Sequence, residues 1–222
     1  LAKMVGIWAT FGTSVATVED EFGGFIEMTR ANMVTRFREY RADHPEIEYL
    51  MMVDSDENIP YDAPYRLAAW GRPVVSGVIC SHSNARGLFA CFTMKDEYNI
   101  ARFPSIQRTR MMPGRGLVRA HSCGTGMICI HHSVFDKIKE AGEVAFAIPE
   151  DKRRQCLETG VLKWGEDISF CGQCEKLDIP IMVDLSVRGI HYKTVEIYWP
   201  PEMIDYNMDS QTWKIDPSEA HL

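Results

Sequence analysis

The sequence lacks three features that would place it in a special class of protein. It has no apolar run of the ~18 to 20 residues that a membrane-spanning helix needs. It has no internal repeat and no low-complexity tract. It also has no basic excess, because 24 Lys and Arg stand against 31 Asp and Glu, for a formal net charge of −7. This balance argues against a dedicated nucleic-acid-binding protein, since phosphate binding depends on clustered Lys and Arg. The charge balance does not exclude a local basic groove.

The cysteines do not form the pattern of a disulfide-stabilised domain. There are seven, an odd number, and they are scattered along the chain. The opening residues lack a basic segment before their apolar run, so we expect a strand there rather than a leader. These observations predict a reduced, cytoplasmic protein with no membrane span.

The 222 residues contain 45% apolar and 25% charged residues, which is ordinary globular usage. Predicted strands and helices alternate, which is typical of an α/β sheet with helices on both faces. The predicted strands cover 4–12, 47–53, 73–80, 126–131 and 179–188. The predicted helices cover 21–42, 62–70 and 166–177, with another that begins at a Ser133 cap. Residues 142–163 lack a sustained period and are predicted to be a loop.

An acidic cluster follows the predicted strand over 47–53. Asp54 and Asp56 stand where an open α/β sheet binds its ligands, at the carboxyl end of a strand. Two carboxylates so close together repel each other unless a cation or hydrogen bonds offset their charge. A hard divalent metal prefers such oxygen ligands together with substrate phosphates. Taken alone, the tripeptide is explained better by a solvated acidic turn.

Three further features become informative only in combination. Gly124-Thr125-Gly126 allows the backbone to approach a ligand closely. Trp164-Gly165-Glu166-Asp167 places carboxylates at a predicted helix start, where an ordinary cap or a catalytic base would both be stabilised. His191 follows the last predicted strand and is in position to share a metal with the acidic cluster. A single histidine is more often structural.

In this order, the four features resemble those of the GT-A superfamily of nucleotide-sugar glycosyltransferases. The likeness is greatest to family-2-like members of the phage and large-virus type, and it covers roughly residues 24 to 192. The residues that carry it are YLMMVDSDENIP (49–60), VVSGVIC (74–80), CGTGMICIHHSVFDKI (123–138) and WGEDISFCGQCEKLDIPIMVDLSVRGIHY (164–192). The resemblance implies a single Rossmann-like domain over 1–198 with a mixed, mostly parallel sheet. Residues 199–222 would form a C-terminal tail. It also implies that the protein acts in the cytoplasm of a bacterial cell or of a virus-infected host cell.

The resemblance assigns roles to the metal and base residues. It implies a Mn²⁺ or Mg²⁺ ion held by Asp56 and His191, with Asp54 facing the donor ribose. It makes Asp167 the general base and leaves Glu166 to hold the sugar or acceptor.

Donor contacts are implied for a second group of positions. The loop Gly124, Thr125 and Gly126 would line the donor sugar, and Trp164 would hold the sugar or the acceptor. Arg30, Asn32 and Thr10 would be donor-binding residues. Such proteins often carry an Asn directly after this Arg. Here that position is Ala31, and Asn32 comes one place later.

The implied reaction moves a sugar from a nucleoside-diphosphate sugar, with UDP expected, to an acceptor hydroxyl with inversion. The acceptor would be a glycan, a protein or a modified nucleic acid such as a hydroxymethylated DNA base. One alternative is a sugar-phosphate nucleotidyltransferase, although residues 10–16 lack the basic glycine-rich loop of that class. A non-catalytic module that binds nucleotide sugars or glycans is the other.

Two remaining features are assigned lesser roles. The segment 101–120 carries five arginines and no acid, so it is either a solvated loop or a site for a phosphate or an anionic acceptor. Cys171 and Cys174 have C-x-x-C spacing, but no second such pair exists, and their helical spacing favours packing in the core.

Overall fold

The computed structural model describes residues 26–54, 56–83, 87–95, 101–102, 116–159, 165–191, 204–207 and 212–215. Its contacts divide the chain into a large unit that ends at Tyr192 and a small unit from Lys193 to Leu222. In the small unit, β13 (Ile204–Asn207) and β14 (Thr212–Ile215) pair as an antiparallel hairpin. The predicted boundary after residue 198 stays a prediction.

The large unit alternates helices with strands, and five of its helices are described. They are α1 (Ile26–Asp43), α2 (Ala63–Ala68), α3 (His132–Glu140), α4 (Glu150–Thr159) and α5 (Glu166–Lys176). The strands of the main sheet are β1 (Tyr49–Val53), β3 (Val74–Val78), β8 (Leu117–Ala120), β10 (Met127–His131) and β11 (Ile181–Arg188). The short strands are β2 (Glu57–Asn58), β4 (Cys80–Ser83), β5 (Gly87–Ala90), β6 (Phe92–Lys95), β7 (Ala101–Arg102), β9 (Ser122–Cys123) and β12 (Ile190–His191).

The main sheet has the order β1-β10-β3-β11-β8. The predicted α/β class and mixed sheet are confirmed, but the prediction that the sheet is mostly parallel is wrong for the described strands. Only β3 and β11 pair in parallel, while the other three pairings are antiparallel. The misleading signal is the apolar run of β10, which reflects burial on both faces and not strand direction.

Helices cover both faces of the sheet, as predicted. Ile128 and Ile130 of β10 pack in a cluster with residues of α1, α3 and α5. Met127 and Cys129 point to the other face and pack with residues of α2. Because successive side chains of a strand alternate between faces, β10 contributes to both clusters.

Local predictions differ from the structure at three places. Helix α4 lies inside the predicted loop 142–163, because a helix this polar has no apolar period to detect. The cap of α3 is His131, whose side chain accepts a hydrogen bond from Ser133 N, so Ser133 is not the cap. In α1 the apolar Met28, which helical spacing over 21–42 predicts on the packed face, is exposed, whereas Arg30 is buried.

Several predictions fall on residues that the structure does not describe. These are the strand over 4–12 with Thr10, residues 21–25 of the first helix, Trp164 and most of the arginine-rich segment. The C-x-x-C pair lies in the main core, where Cys171 is 3% exposed and Cys174 is 0% exposed. No helix in the described part of the chain combines the length and the apolar character that crossing a bilayer requires.

Candidate active site

A cavity of 260 Å³ lies at the edge of the main sheet where β1, β3 and β11 end. These strands run in the same direction, because β10 opposes both β1 and β3 and because β11 is parallel to β3. The sheet therefore brings together the residues that follow three distant strands. The charged and ionisable side chains that line it include those of Arg30, Asp54, Glu57, Glu166, Asp167 and His191.

The glycine loop and the acidic turn after β1 are joined by their backbones. Asp54 N donates a hydrogen bond to Gly126 O at 3.1 Å, and Glu57 N donates to Asp54 O at 3.0 Å. An added Cβ on Gly126 would lie 3.1 Å from Glu57 Oε1 and 3.2 Å from Asp54 Oδ2. Glycine at 126 thus lets the loop approach two carboxylates without displacing them.

Arg30 connects three parts of the cavity wall. This side chain belongs to α1 and is 4% exposed. Its Nη2 donates to Asp54 Oδ1 at 2.7 Å, its Nε donates to Glu166 Oε1 at 3.1 Å, and its Nη1 reaches Thr125 O at 3.5 Å. The guanidinium presents several donors in a rigid fork, so one residue can hold two carboxylates and a carbonyl.

Glu166 and Asp167 begin α5, whose N-cap is Gly165. Asp167 Oδ1 accepts a hydrogen bond from Ile168 N at 2.7 Å. A Cβ on residue 165 would lie 2.6 Å from that same oxygen, so a larger residue at the cap would have to displace the Asp167 carboxylate. Burial raises the pKa of Asp167, and the neighbouring Glu166 carboxylate raises it further. A carboxylate with a raised pKa is a stronger base than an ordinary aspartate.

Asp56, Glu57 and His191 form a compact group at one side of the cavity. Each offers one ligand atom, and the three atoms lie within 4.8 Å of one another. His191 Nε2 is 3.0 Å from Asp56 Oδ2, and His191 Nδ1 is 3.6 Å from Glu57 Oε1. Carboxylate oxygens with an imidazole nitrogen suit Mn²⁺ and related cations, so the donor set fits the metal that the family resemblance implies.

The structure brings most of the predicted site residues together. Asp54, Gly124, Thr125, Gly126, Glu166, Asp167 and His191 line the cavity, as does Arg30, and Asp56 contacts His191. Asn32 does not line it, because two residues along α1 turn the side chain about 200° away from Arg30. The roles predicted for all of these residues stay predictions.

Sequence reasoning missed Glu57. This residue follows the predicted acidic pair, but its place in the site depends on the pairing of β2 with β12, in which Glu57 faces His191. Strands of two residues leave no periodic signal in a sequence. The only indication of Glu57 in the sequence is that it directly follows Asp56 in the acidic cluster.

Comparisons with known proteins find distant likenesses of fold only. No protein-family model matches the chain, and no curated protein matches it. The crystal structure of A197 from STIV is similar over 96% of this chain and 86% of that one, with 14% identity and a TM-score of 0.46. The structure of GalNAc-T7 with UDP, GalNAc and Mn²⁺ is similar over 90% of this chain, with 11% identity and a TM-score of 0.49. This chain spans 36% of the latter, and neither likeness assigns it a family or an activity.

Proposed function

We propose that this protein is a metal-dependent glycosyltransferase of the GT-A type. It would move a sugar from a nucleoside-diphosphate sugar, with UDP as the expected nucleotide, to an acceptor hydroxyl. The observation that carries the proposal is the set of side chains in and beside the cavity at the sheet edge. A histidine and two carboxylates that suit a divalent cation lie on one side, and the carboxylates of Glu166, which is buried, and Asp167 lie at a helix start on another.

Asp56 and His191 are the residues that would hold Mn²⁺ or Mg²⁺, with the Glu57 carboxylate beside them. When bound, such an ion neutralises the charge that develops on a departing diphosphate. The neighbouring loop from Gly124 to Gly126 also lines the cavity, and its two glycines lack side chains, which allows a sugar to approach the backbone closely.

Asp167 is the proposed base. Its raised pKa comes from burial and from the Glu166 charge, and it has the chemistry to accept the proton of an acceptor hydroxyl. Glu166 is held by Arg30, so its role is to position the helix start and the bound sugar. Attack by the acceptor oxygen on the anomeric carbon, with the nucleoside diphosphate leaving, is one displacement and inverts that carbon.

The size of the cavity limits what it can enclose. Its 260 Å³ is just under the roughly 300 to 1,000 Å³ of sites that surround a whole small molecule. We therefore assign it to the sugar-diphosphate end of the donor. The acceptor is a glycan, a protein or a modified nucleic acid.

The test is transfer from a panel of UDP-sugars with Mn²⁺ by the unmodified protein and by Asp167→Asn. The substitution keeps an oxygen that can accept from Ile168 N but removes the base, so transfer should be abolished while UDP binding persists. Asp151→Asn, at the exposed start of α4, is the matched control and should transfer normally. Unchanged turnover by Asp167→Asn would disprove the base assignment. Nucleotide binding without transfer or donor hydrolysis in the unmodified protein would instead indicate a binding module.

A separate assay tests which class of acceptor receives the sugar. Glycans, proteins and DNA that contains hydroxymethylated pyrimidines are offered with the donor that binds best. Transfer to one class and not to the others identifies it. Donor hydrolysis to free sugar with every acceptor absent would show that the donor site works even where the acceptor is still to be found.

A further inference from the structure

The His191 ring has a carboxylate near each of its two nitrogens. Nε2 lies 3.0 Å from Asp56 Oδ2, and Nδ1 lies 3.6 Å from Glu57 Oε1. The two acids differ in their surroundings, because the Asp56 side chain is 51% exposed and the Glu57 side chain is 3% exposed. One nitrogen therefore faces the open side of the site, and the other faces the closed side.

The backbone determines this arrangement. Strands β2 and β12 pair antiparallel, and Glu57 stands directly opposite His191 in their register. Directly opposed residues project their side chains to the same face with their Cβ atoms about 4.5 to 5.5 Å apart. The contact between Glu57 and His191 thus follows from the ladder and not from the chance rotation of a surface side chain.

The closed side leaves a buried ring nitrogen to be satisfied. His191 Nδ1 is buried and has no hydrogen-bond partner within the part of the chain that the structure describes. Glu57 Oε1 is within a small rotation of hydrogen-bonding distance from it. When a histidine binds a metal through one nitrogen, the other N–H commonly donates to a carboxylate, which orients the ring and makes the metal-bound nitrogen a better ligand.

We propose that Glu57 is a positioning residue for His191. It accepts a hydrogen bond from Nδ1–H and so presents the Nε2 lone pair to the cation that His191 and Asp56 bind. This inference rests on the metal site of the proposed function, but it makes no use of sugar transfer and can be tested without a sugar.

The test is Mn²⁺ titration, followed by electron paramagnetic resonance, of the unmodified protein, Glu57→Gln and Glu57→Leu. Gln keeps an oxygen that can accept from Nδ1–H, so its Mn²⁺ affinity should stay close to that of the unmodified protein. Leu fills the same space without an acceptor, and the affinity should fall about 10- to 100-fold. An equal loss in both variants would make Glu57 a direct ligand and overturn the proposal. No loss with Leu would make it purely structural and would also overturn the proposal.

The chain supplies a matched control. His121 Nδ1 lies 3.6 Å from Glu175 Oε1, the same separation, and neither residue lines the cavity. Glu175→Gln and Glu175→Leu should bind Mn²⁺ as the unmodified protein does. A loss in these variants equal to that of Glu57→Leu would contradict the assignment, because it would show a general effect of removing such a contact.

A second measurement applies if Glu57→Leu does not fold. Histidine ¹⁵N spectra of the unmodified protein loaded with diamagnetic Cd²⁺ should show His191 protonated at Nδ1 and bound through Nε2. Binding through Nδ1 would overturn the proposal. If the unmodified protein binds no divalent cation, both this inference and the metal requirement of the proposed function fail. If it binds Mn²⁺ but transfers no sugar, only the proposed function fails.

Discussion

Arg30 and Glu166 are 136 residues apart in the chain and form a buried ion pair, with Arg30 Nε 3.1 Å from Glu166 Oε1. Their side chains are 5% and 12% exposed. The same guanidinium also holds Asp54. One cation from α1 therefore balances a carboxylate from each side of the candidate active site.

Removing that cation should destabilise the protein strongly. Arg30→Met leaves Glu166 and Asp54 without their partner, and we expect the free energy of unfolding to fall by about 3 to 5 kcal/mol. The double variant Arg30→Met/Glu166→Gln removes one of the stranded charges and should recover part of the loss. Urea denaturation of both variants measures this. Equal loss in the two variants would mean that the pair is not coupled.

An exposed ion pair between α1 and α4 provides the control for that experiment. Arg153 Nη2 lies 2.7 Å from Glu27 Oε1, but the Arg153 side chain is 50% exposed. Because water screens exposed ion pairs, Arg153→Met should cost less than about 1 kcal/mol.

The raised pKa of Asp167 predicts a linked pH dependence of activity and stability. If Asp167 is the base, kcat/KM should fall on acidification at a higher pH than an ordinary aspartate would produce. The folded-state pKa is raised, so the charged form costs stability above that pKa, and the cost is relieved as the pH falls through it. Asp167→Asn should therefore raise the free energy of unfolding at neutral pH, and the gain should vanish in acid. A variant that is less stable than the unmodified protein at pH 7 would contradict this.

Metal binding should depend on His191 and Asp56. His191→Ala and Asp56→Ala should both abolish the Mn²⁺-dependent part of UDP binding, as measured by calorimetry with Mn²⁺ and with a chelator. His132 and Asp136 form a similar contact, with Nδ1 3.0 Å from Oδ2, away from the cavity. Alanine at either of these positions should leave UDP binding unchanged. Intact Mn²⁺-dependent binding in His191→Ala would exclude that residue as a ligand.

Two glycines should respond to alanine in opposite ways. In Gly126→Ala the new Cβ must displace Glu57 Oε1, Asp54 Oδ2 and Ile79 Cδ1, each 3.1 or 3.2 Å away, so Mn²⁺-dependent UDP binding should weaken in a folded protein. Gly172 lies inside α5 with nothing within 4 Å of an added Cβ. Gly172→Ala should raise the free energy of unfolding by about 0.5 to 1 kcal/mol without changing binding. Thermal unfolding and calorimetry on both variants check the pair, and normal binding by Gly126→Ala would argue against a tight loop.

The sequence predicts the sheet edge better than it predicts the contacts across it. Asp54, Asp56 and His191 each follow an apolar run, so strand ends and their shared edge are readable from the pattern. The burial of Arg30 is not readable, because a helical Arg is normally exposed and its partners Asp54 and Glu166 lie far along the chain. Helix α4 is not predicted for another reason, because a polar helix and a polar loop have the same composition.

The short ladder between β2 and β12 has a consequence for how the protein folds. Beside it, the side-chain contact between Asp56 and His191 spans 135 residues, much as the contact between Arg30 and Glu166 spans 136. Closing loops of that length costs conformational entropy before any contact repays it, so such contacts tend to form late. The cation-binding group should therefore assemble only when the last strand of the large unit has docked. Recovery of Mn²⁺ affinity during refolding would then mark the end of the folding reaction, and a fragment that stops before α5 would carry the acidic turn without ever gaining a binding site.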